Sequence, residues 1–355
     1  MLRHLTAALL TLALLASLAL TLRAGWAVWS DPALRPFRDA TLAEIAASLD
    51  RDLAREATPA RLAARIEARL AEAPRNWLAL DALTELAAER AIALPPPLSD
   101  RLAEARAEDY SPTRLAQDCA ACILDVTACT LGTALICKAP ILLTPIEDLR
   151  GLGQAGYDYL QGEEIDRIDL GLSIVGLTAT GLAVATGGSS LSLKAGAGMV
   201  KLARGLRLIS PRLLHWAEAG LRAGIDWAAL PAVRSSDDLA ALVRAEALAP
   251  LARALGDLGQ TADRLGPAAT LHLLPMVDDA ADAARLARIA QAAGPRSVVA
   301  AELLGKSRLF RLTTRLGRVT AELLAGFAAA SAAFASAIAH WLGARALRRA
   351  RRLLS

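Results

Sequence analysis

The stretch that decides the fold is residues 168–185, IDLGLSIVGLTATGLAVA. It carries one charge, Asp169, near its start, and a glycine stands at every fifth position from 171 to 181. A second apolar stretch, residues 120–143, precedes it in the chain. Two long apolar runs joined by a polar connector predict a pair of buried or membrane-inserted helices. We therefore predict a central apolar, Gly-rich helical hairpin in residues 112–208.

This hairpin has two candidate environments. Asp125 and Lys138 interrupt its first arm, and each would cost about 3 kcal/mol at the centre of a bilayer. Each glycine of the second arm lowers helix propensity by about 1 kcal/mol. These costs favour a hairpin that is buried in protein, or lies at a membrane interface, over one that spans the bilayer.

The N-terminus carries a candidate membrane anchor in residues 1–30. Residues 5–22 contain only Leu, Ala, Thr and Ser, and they would form about 27 Å of helix, close to the thickness of a bilayer core. Arg23 ends the run, and Trp26 and Trp29 follow at interface depth. A cleaved signal peptide is the first alternative, although its cleavage site would need small residues where Arg23 and Trp26 stand. A buried helix of a soluble protein is the second.

The C-terminus, residues 319–355, carries another candidate span. Residues 323–342 have no formal charge, and Trp341 lies near their end. An arginine tail follows, made of Arg345, Arg348, Arg349, Arg351 and Arg352. Under the positive-inside rule this tail predicts a cytoplasmic C-terminus, with tryptophan and arginine at the membrane interface. The alternative is a buried core helix.

The two spans together predict a protein of the bacterial inner membrane with most of its chain in the periplasm. Arg3 and the arginine tail would both stay in the cytoplasm. Four further arginines stand on the outer side of the C-terminal span, against this rule: Arg308, Arg311, Arg315 and Arg318. An amphipathic helix on anionic headgroups is the alternative for this segment. The lipid bilayer is thus the first predicted partner.

All four cysteines fall within the central region, with the spacing C-x2-C-x6-C-x7-C: Cys119, Cys122, Cys129 and Cys137. An even number of cysteines in an exported chain predicts structural disulfides. One straight helix would hold Cys119 about 27 Å from Cys137. A reversal of the chain near Gly132 would instead allow the nested pairs Cys119–Cys137 and Cys122–Cys129. Free core thiols and a metal or redox site are the alternatives.

Amphipathic helices are predicted on both sides of the hairpin, in residues 31–111 and 209–318. Thr41 and Glu44 match a capping box. Thr58–Pro59 matches an N-cap followed by a proline in the first turn. A tetratricopeptide-like array is the alternative to plain helical bundles, but the sequence shows no repeat of about 34 residues.

Charge and motifs exclude several classes of function. The 355 residues carry a formal net charge of +4, and the arginine tail accounts for the whole excess. A nucleic-acid-binding protein would spread its basic residues over a folded face, so no nucleic-acid partner is predicted. The chain has no phosphate-binding loop, dinucleotide fingerprint or HExxH motif. We therefore predict no cofactor, metal ligand or catalytic residue, and expect each isolated histidine to pack or lie at an interface.

The sequence predicts an all-α, membrane-anchored helical protein with amphipathic helical bundles flanking the central hairpin. The first functional hypothesis is a non-catalytic scaffold or assembly factor that packs against other envelope proteins and leaves room for a homo-oligomer. The second is a pore-forming or membrane-perturbing, toxin-like protein that inserts the hairpin. The third is an enzyme whose site is built from residues far apart in the sequence.

Overall fold

A computed structural model of the chain describes residues 35–133, 166–186 and 191–313, together with Cys137, Leu152, Gly153, Tyr157 and Gln161. Within this part, regular secondary structure is helical apart from an isolated β-bridge between Ile225 and Val243. The all-α prediction is therefore confirmed. The helices are α1 (Arg35–Glu56), α2 (Pro59–Leu70), α3 (Trp77–Glu89), α4 (Pro96–Asp109), α5 (Pro112–Leu124), α6 (Arg167–Thr186), α7 (Leu191–Gly205), α8 (Pro211–Gly224), α9 (Ser236–Ala241), α10 (Ala245–Leu265), α11 (Pro267–Leu273), α12 (Ala280–Ala293) and α13 (296–313).

Both predicted membrane segments, residues 5–22 and 323–342, lie outside the described residues. The predicted interface residues lie there too: Trp26, Trp29, Trp341 and the arginine tail. None of the helices that the structure describes combines the length and the apolar character that a bilayer crossing needs. The membrane anchors therefore stay predictions.

Helix α6, which contains the stretch 168–185, is a helix of the protein core. Leu172 and Ile174 are completely buried, and α6 packs against α7 and α8. Gly171 permits a close approach to α8, because a Cβ atom at this position would lie 3.0 Å from both methyl carbons of Leu221. The second arm of the predicted hairpin therefore packs in protein, which is the environment that its glycines favour.

The described part of the first arm, residues 120–133, is not one continuous helix. Helix α5 ends at Leu124, and Asp125 accepts two hydrogen bonds of 2.8 Å, from the amide and the hydroxyl of Thr127. Such side-chain bonds to the local backbone compete with the helix, and the chain turns through Val126–Ala128. Ile123 and Leu124 are 58% and 88% exposed. The described part of this arm is thus a helix followed by a turn at the protein surface.

The four cysteines form two disulfides, Cys119–Cys137 and Cys122–Cys129. Their Cα atoms are 5.8 Å and 4.4 Å apart, respectively. The disulfide prediction is confirmed, and the pairing is the nested one that a chain reversal near Gly132 allows. The two bonds tie α5 to the turn that follows it.

The regions on either side of the hairpin share one hydrophobic core. This core includes Leu49 from α1, Leu286 from α12 and Phe310 from α13, and α1 packs directly against α12.

The sequence predicts helix starts at Thr58 and at Thr41, and the structure allows both to be checked. Thr58 does cap α2, since its hydroxyl accepts a 3.4 Å hydrogen bond from the amide of Arg61.

The capping box predicted at Thr41 and Glu44 is wrong. Helix α1 begins at Arg35 and runs through both residues to Glu56. No proline or glycine stands between residues 37 and 57, so nothing in the backbone interrupts a helix that has already begun. Thr41 is therefore an interior residue of α1.

Helices α7 and α10 make the closest packing between described helices. A Cβ atom at Gly196 would lie 1.8 Å from the carbonyl oxygen of Leu255, and one at Gly259 would lie 1.8 Å from the carbonyl oxygen of Ser192. No side chain fits at that distance, so the two backbones touch only because both positions are glycine.

Candidate functional site

A groove of about 620 Å³ opens where the ends of α3, α4 and α5 meet the turn after α5. We call it the aromatic groove. Its lining residues are Glu72, Ala73, Pro74, Arg75, Asn76, Trp77, Leu78, Asp81, Glu108, Asp109, Tyr110, Arg114, Leu115, Asp118, Ala128, Thr130, Leu131, Gly132, Thr133 and Ala268. Helix ends place many different side chains around one space, because the chain reverses direction there.

Two aromatic side chains lie side by side in this groove. The indole nitrogen of Trp77 donates a 2.8 Å hydrogen bond to Asp109 Oδ2, which fixes the ring. The guanidinium carbon of Arg106 lies 4.7 Å from the centre of the Trp77 ring, in a cation–π contact. The Tyr110 ring lies 5.9 Å from the Trp77 ring, and Tyr110 is 52% exposed. The groove thus holds one fixed aromatic ring and one that solvent or a ligand can reach.

Carboxylates outnumber basic groups in the groove lining. Five lining residues are acidic, and Arg75 and Arg114 are the two basic ones. Arg75 Nη1 donates to Asp109 Oδ1 at 2.9 Å and to Glu108 Oε2 at 3.2 Å, and the hydrogen bond to Asp109 raises the pKa of Arg75. Arg114 lies 3.5 Å from Asp118. Arg69 and Arg106, which are outside the lining, pair with Glu72 and Asp81. Each of the five carboxylates therefore has an arginine partner.

The opposite wall comes from the disulfide-bonded turn. Ala128 and residues 130–133 line the groove, and this segment lies between the cysteines of the outer disulfide, Cys119 and Cys137. Thr130 and Thr133 stabilise the turn, because the amide of each donates to the hydroxyl of the other, at 2.8 Å and 3.1 Å. The disulfides therefore hold one side of the groove against the helices on the other side.

A buried polar cluster lies behind the groove and is centred on Glu302 of α13, whose side chain is 2% exposed. Glu302 Oε2 accepts hydrogen bonds of 2.9 Å from Arg65 Nε and from Arg69 Nε, and Oε1 accepts one of 2.5 Å from Arg69 Nη2. His272 Nε2 of α11 lies 2.9 Å from Oε1. The cluster joins α2, α11 and α13, which are far apart in the sequence.

Asn76 connects this cluster to the groove. Its Oδ1 accepts the amide hydrogen of Ala79 at 3.2 Å as the N-cap of α3. The amide nitrogen of the same side chain therefore faces His272 Nδ1, 2.9 Å away, and donates to it. This arrangement assigns the ring proton of His272 to Nε2, which donates to Glu302. Both ring nitrogens are engaged, so His272 acts as a link between α3 and α13.

The cluster strongly favours the charged form of Glu302. Burial by itself would raise the pKa of this carboxyl, but the hydrogen bonds from His272 and Arg69 outweigh burial and lower the pKa to about 2. A lowered pKa means that the ionised carboxylate stabilises the folded protein. We therefore assign the cluster a structural role.

A second charged cluster holds α13 against the start of α12. Lys306 Nζ lies 2.6 Å from Asp278 Oδ2 and 2.7 Å from Asp282 Oδ2. Burial would lower the pKa of Lys306, but these two carboxylates outweigh it and raise the pKa. Arg212, 82% exposed, lies 3.7 Å from Asp278 at the edge of this cluster.

A second depression, of about 690 Å³, lies between α1 and α13. Its lining carries Arg51, Arg55, Arg308 and Arg311 against Glu44, Asp52 and Glu56. Arg51 donates to Glu44 at 3.0 Å, and Arg308 and Arg55 donate to Glu56 and Asp52. These internal pairs nearly balance the charge, and the lining of this depression contains no aromatic side chain, in contrast to the aromatic groove.

The remaining sequence-based expectations have mixed outcomes. The cysteines lie beside the groove as disulfides, and the predicted membrane-interface residues are outside the described part of the chain. His215 is exposed, whereas His272 is buried in the Glu302 cluster. In the residues that the structure describes, no group of three or more acidic, histidine or cysteine side chains is arranged to hold a metal ion.

Sequence reasoning did not find the aromatic groove or the Glu302 cluster. One signal was present, since Glu302 is the single charge in the apolar run of residues 297–305. An isolated charge in an apolar helix usually has a buried partner, but nothing in the sequence points to Arg69, which is 233 positions away. Comparison of the chain with protein-family models, with curated proteins and with solved structures finds no match.

Proposed function

We propose that this protein is a membrane-anchored helical scaffold of the bacterial envelope that holds another envelope protein in the aromatic groove. The observation that carries the proposal is the groove itself. It combines the fixed ring of Trp77 with the half-exposed ring of Tyr110 on rigid helix ends. Exposed aromatic side chains on a rigid support are typical anchors of protein–protein contacts.

The disulfides support an extracytoplasmic location. Two disulfides within one short segment, 119–137, are common in exported proteins and rare in cytosolic ones. The apolar segments 5–22 and 323–342, with their flanking arginines, would attach the chain to the inner membrane.

The buried titratable groups support a non-catalytic role. Both carboxylate oxygens of Glu302 accept hydrogen bonds, from Arg65, Arg69 and His272. His272 uses its second nitrogen on Asn76. A general acid or base has to reach its substrate through a hydrogen bond or one water, and these groups are instead engaged with one another.

The packing of the described residues does not favour the pore-forming alternative. Its inserting element would be the central hairpin, which contains α6. Leu172 and Ile174 of α6 are buried in the core, and Gly171 closely approaches α8. Before insertion into a bilayer, α6 would have to separate from α7 and α8. We therefore keep the scaffold as the proposal.

Photo-crosslinking in living cells tests the scaffold. A photoreactive phenylalanine derivative replaces Tyr110 in the groove. In a control it replaces Glu104, which is exposed outside the groove on α4, the helix that Tyr110 follows. We expect one discrete protein adduct from position 110, in the carbonate-resistant membrane fraction, and no such adduct from position 104. Equal adducts at both positions, or none at 110, would overturn the proposal, as would recovery of the protein in the soluble fraction.

A further inference from the structure

The two disulfides have different surroundings, which assign them different roles. We infer that the outer disulfide, Cys119–Cys137, is a reversible redox site that a protein dithiol opens, whereas the inner disulfide, Cys122–Cys129, is structural. This redox site goes beyond the proposed function, because neither role depends on which protein the aromatic groove holds. Three features distinguish the bonds: the accessibility of their cysteines, their positions along the chain, and the contacts that remain when the outer bond opens.

Accessibility is the first feature. Cys122 is completely buried, and Cys129 packs against the hydrophobic core. Cys119 and Cys137 are both partly exposed, and Ala120 beside Cys119 is exposed. A thiolate opens a disulfide by attacking one of its sulfur atoms, so access to the sulfur decides which bond reacts first. An external thiolate therefore reaches the outer bond before the inner one.

The position of the outer bond along the chain is the second feature. Residues 130–133 of the groove wall lie between Cys129 and Cys137. The inner bond ties one end of this segment to α5, and the outer bond ties the other end to the same helix. When the outer bond opens, the wall stays tied to α5 at Cys129 alone. The outer bond thus controls how firmly the groove wall is held.

The remaining contacts are the third feature. The turn after α5 keeps the two hydrogen bonds that Thr127 donates to the Asp125 carboxylate. Residues 131–133 pack against α11. Neither interaction uses the sulfur atoms of the outer bond. Opening this bond therefore loosens the groove wall and leaves the helices folded.

The opening step is a thiol–disulfide exchange that consumes one dithiol. One thiolate of the dithiol attacks an outer sulfur, forms a mixed disulfide and expels the other outer cysteine as a thiolate, which takes up a proton. The second thiol of the dithiol loses its proton, attacks the mixed disulfide and releases the second cysteine, which is protonated in turn. Two electrons and two protons thus pass to Cys119 and Cys137, and the dithiol leaves as a disulfide. Exchange with an oxidised protein dithiol closes the site again.

Graded reduction of the purified full-length protein in detergent tests the assignment. The probe is reduced thioredoxin at increasing concentration, followed by alkylation, digestion with trypsin and tandem mass spectrometry of residues 115–138. We expect alkyl groups on Cys119 and Cys137 first, with the inner bond intact until the thioredoxin concentration is at least about tenfold higher. Alkylation of all four cysteines together, of an inner cysteine first, or of none would overturn the inference.

Matched variants test one bond at a time. Cys122→Ala with Cys129→Ala leaves the outer bond, which should open at the same thioredoxin concentration as in the wild-type protein. Cys119→Ala with Cys137→Ala leaves the inner bond, which should need at least about tenfold more. Circular dichroism checks that both variants keep their helix content. Equal sensitivity of the two bonds would contradict their separate roles.

Hydrogen exchange measures the effect on the groove wall. The amides of Thr130 and Thr133 donate to each other's hydroxyl groups, so they are protected while the wall is held. In Cys119→Ala with Cys137→Ala, residues 130–133 should exchange at least about tenfold faster than in the oxidised wild-type protein, and α10 should be unchanged. Unchanged exchange in the wall would show that the outer bond does not hold it. Faster exchange in α10 would show that this bond stabilises the whole fold, and either result would overturn the inference.

Discussion

Replacing Glu302 with glutamine keeps the size of the side chain but removes the charge at the centre of the buried cluster. The pKa of this carboxyl is lowered from 4.5 to about 2. At about 1.4 kcal/mol per pH unit, the charged form therefore adds about 3 kcal/mol to the free energy of unfolding at pH 7. We expect Glu302→Gln to lose about this amount, because Arg65 and Arg69 then face a neutral amide.

The assay is urea unfolding of the full-length protein in detergent, followed by far-ultraviolet circular dichroism. Glu72→Gln is the matched control, since Glu72 pairs with the same Arg69 at 2.6 Å but has a 40% exposed side chain. An exposed ion pair of this kind contributes less than about 1 kcal/mol. The control variant should therefore unfold close to the wild-type protein.

The pH dependence gives a second check with a defined sign. Because folding lowers the pKa of Glu302, its contribution is complete above pH 4.5 and is lost as the pH falls towards about 2. The difference in unfolding free energy between wild type and Glu302→Gln should thus be constant near neutral pH and shrink in acid. A variant that loses no more stability than Glu72→Gln, or a difference that is unchanged between pH 5 and about pH 2, would refute the structural role of the cluster.

Two further predictions concern helix packing and the second charged cluster, and urea midpoints measure both. Gly259→Ala should destabilise the protein by about 3 kcal/mol or more, since its Cβ would lie 1.8 Å from a facing backbone oxygen. Gly256→Ala on the same helix has nothing within 4 Å and should stabilise it by up to about 1 kcal/mol; equal shifts would contradict the α7–α10 contact. Lys306→Met should cost about 2 kcal/mol, because two carboxylates lose their shared ammonium group. Arg212→Met, at an 82% exposed position, should cost less than about 0.5 kcal/mol, and a larger loss there than at Lys306 would argue against this cluster.

Local signals in the sequence predict local features of the fold. Thr58 and Pro59 predict the start of α2, because the cap and the proline act within one turn of helix. The cysteine spacing is equally informative once the chain is allowed to reverse near Gly132. Both inferences need only residues that are close in the sequence.

Helix boundaries and environments are harder to predict. The Thr41–Glu44 pattern fails because a helix that has already begun at Arg35 passes through it. The stretch 168–185 has the length of a membrane span, yet α6 packs between other helices of the same chain. Apolar composition alone does not distinguish lipid from a protein interior, since both exclude water.

The candidate site could not be predicted, because it depends on tertiary contacts. The aromatic groove exists only where the end of α4 and the start of α3 meet the disulfide-bonded turn. The cluster behind it joins Arg69 to Glu302 across 233 positions of sequence. A single sequence carries no information about such pairings beyond the isolated charge in an apolar run.

The most direct test of an exported protein with a disulfide-closed groove is to trap its thiols in living cells. Cells are quenched in acid, alkylated without reductant and digested with trypsin, which releases residues 115–138 as one peptide with all four cysteines. We predict that this peptide carries no alkyl group, and that cleavage before Asp125 leaves its halves linked through Cys119–Cys137 and Cys122–Cys129. Four alkylated cysteines would contradict the exported location, and halves that separate would contradict the disulfide-closed groove.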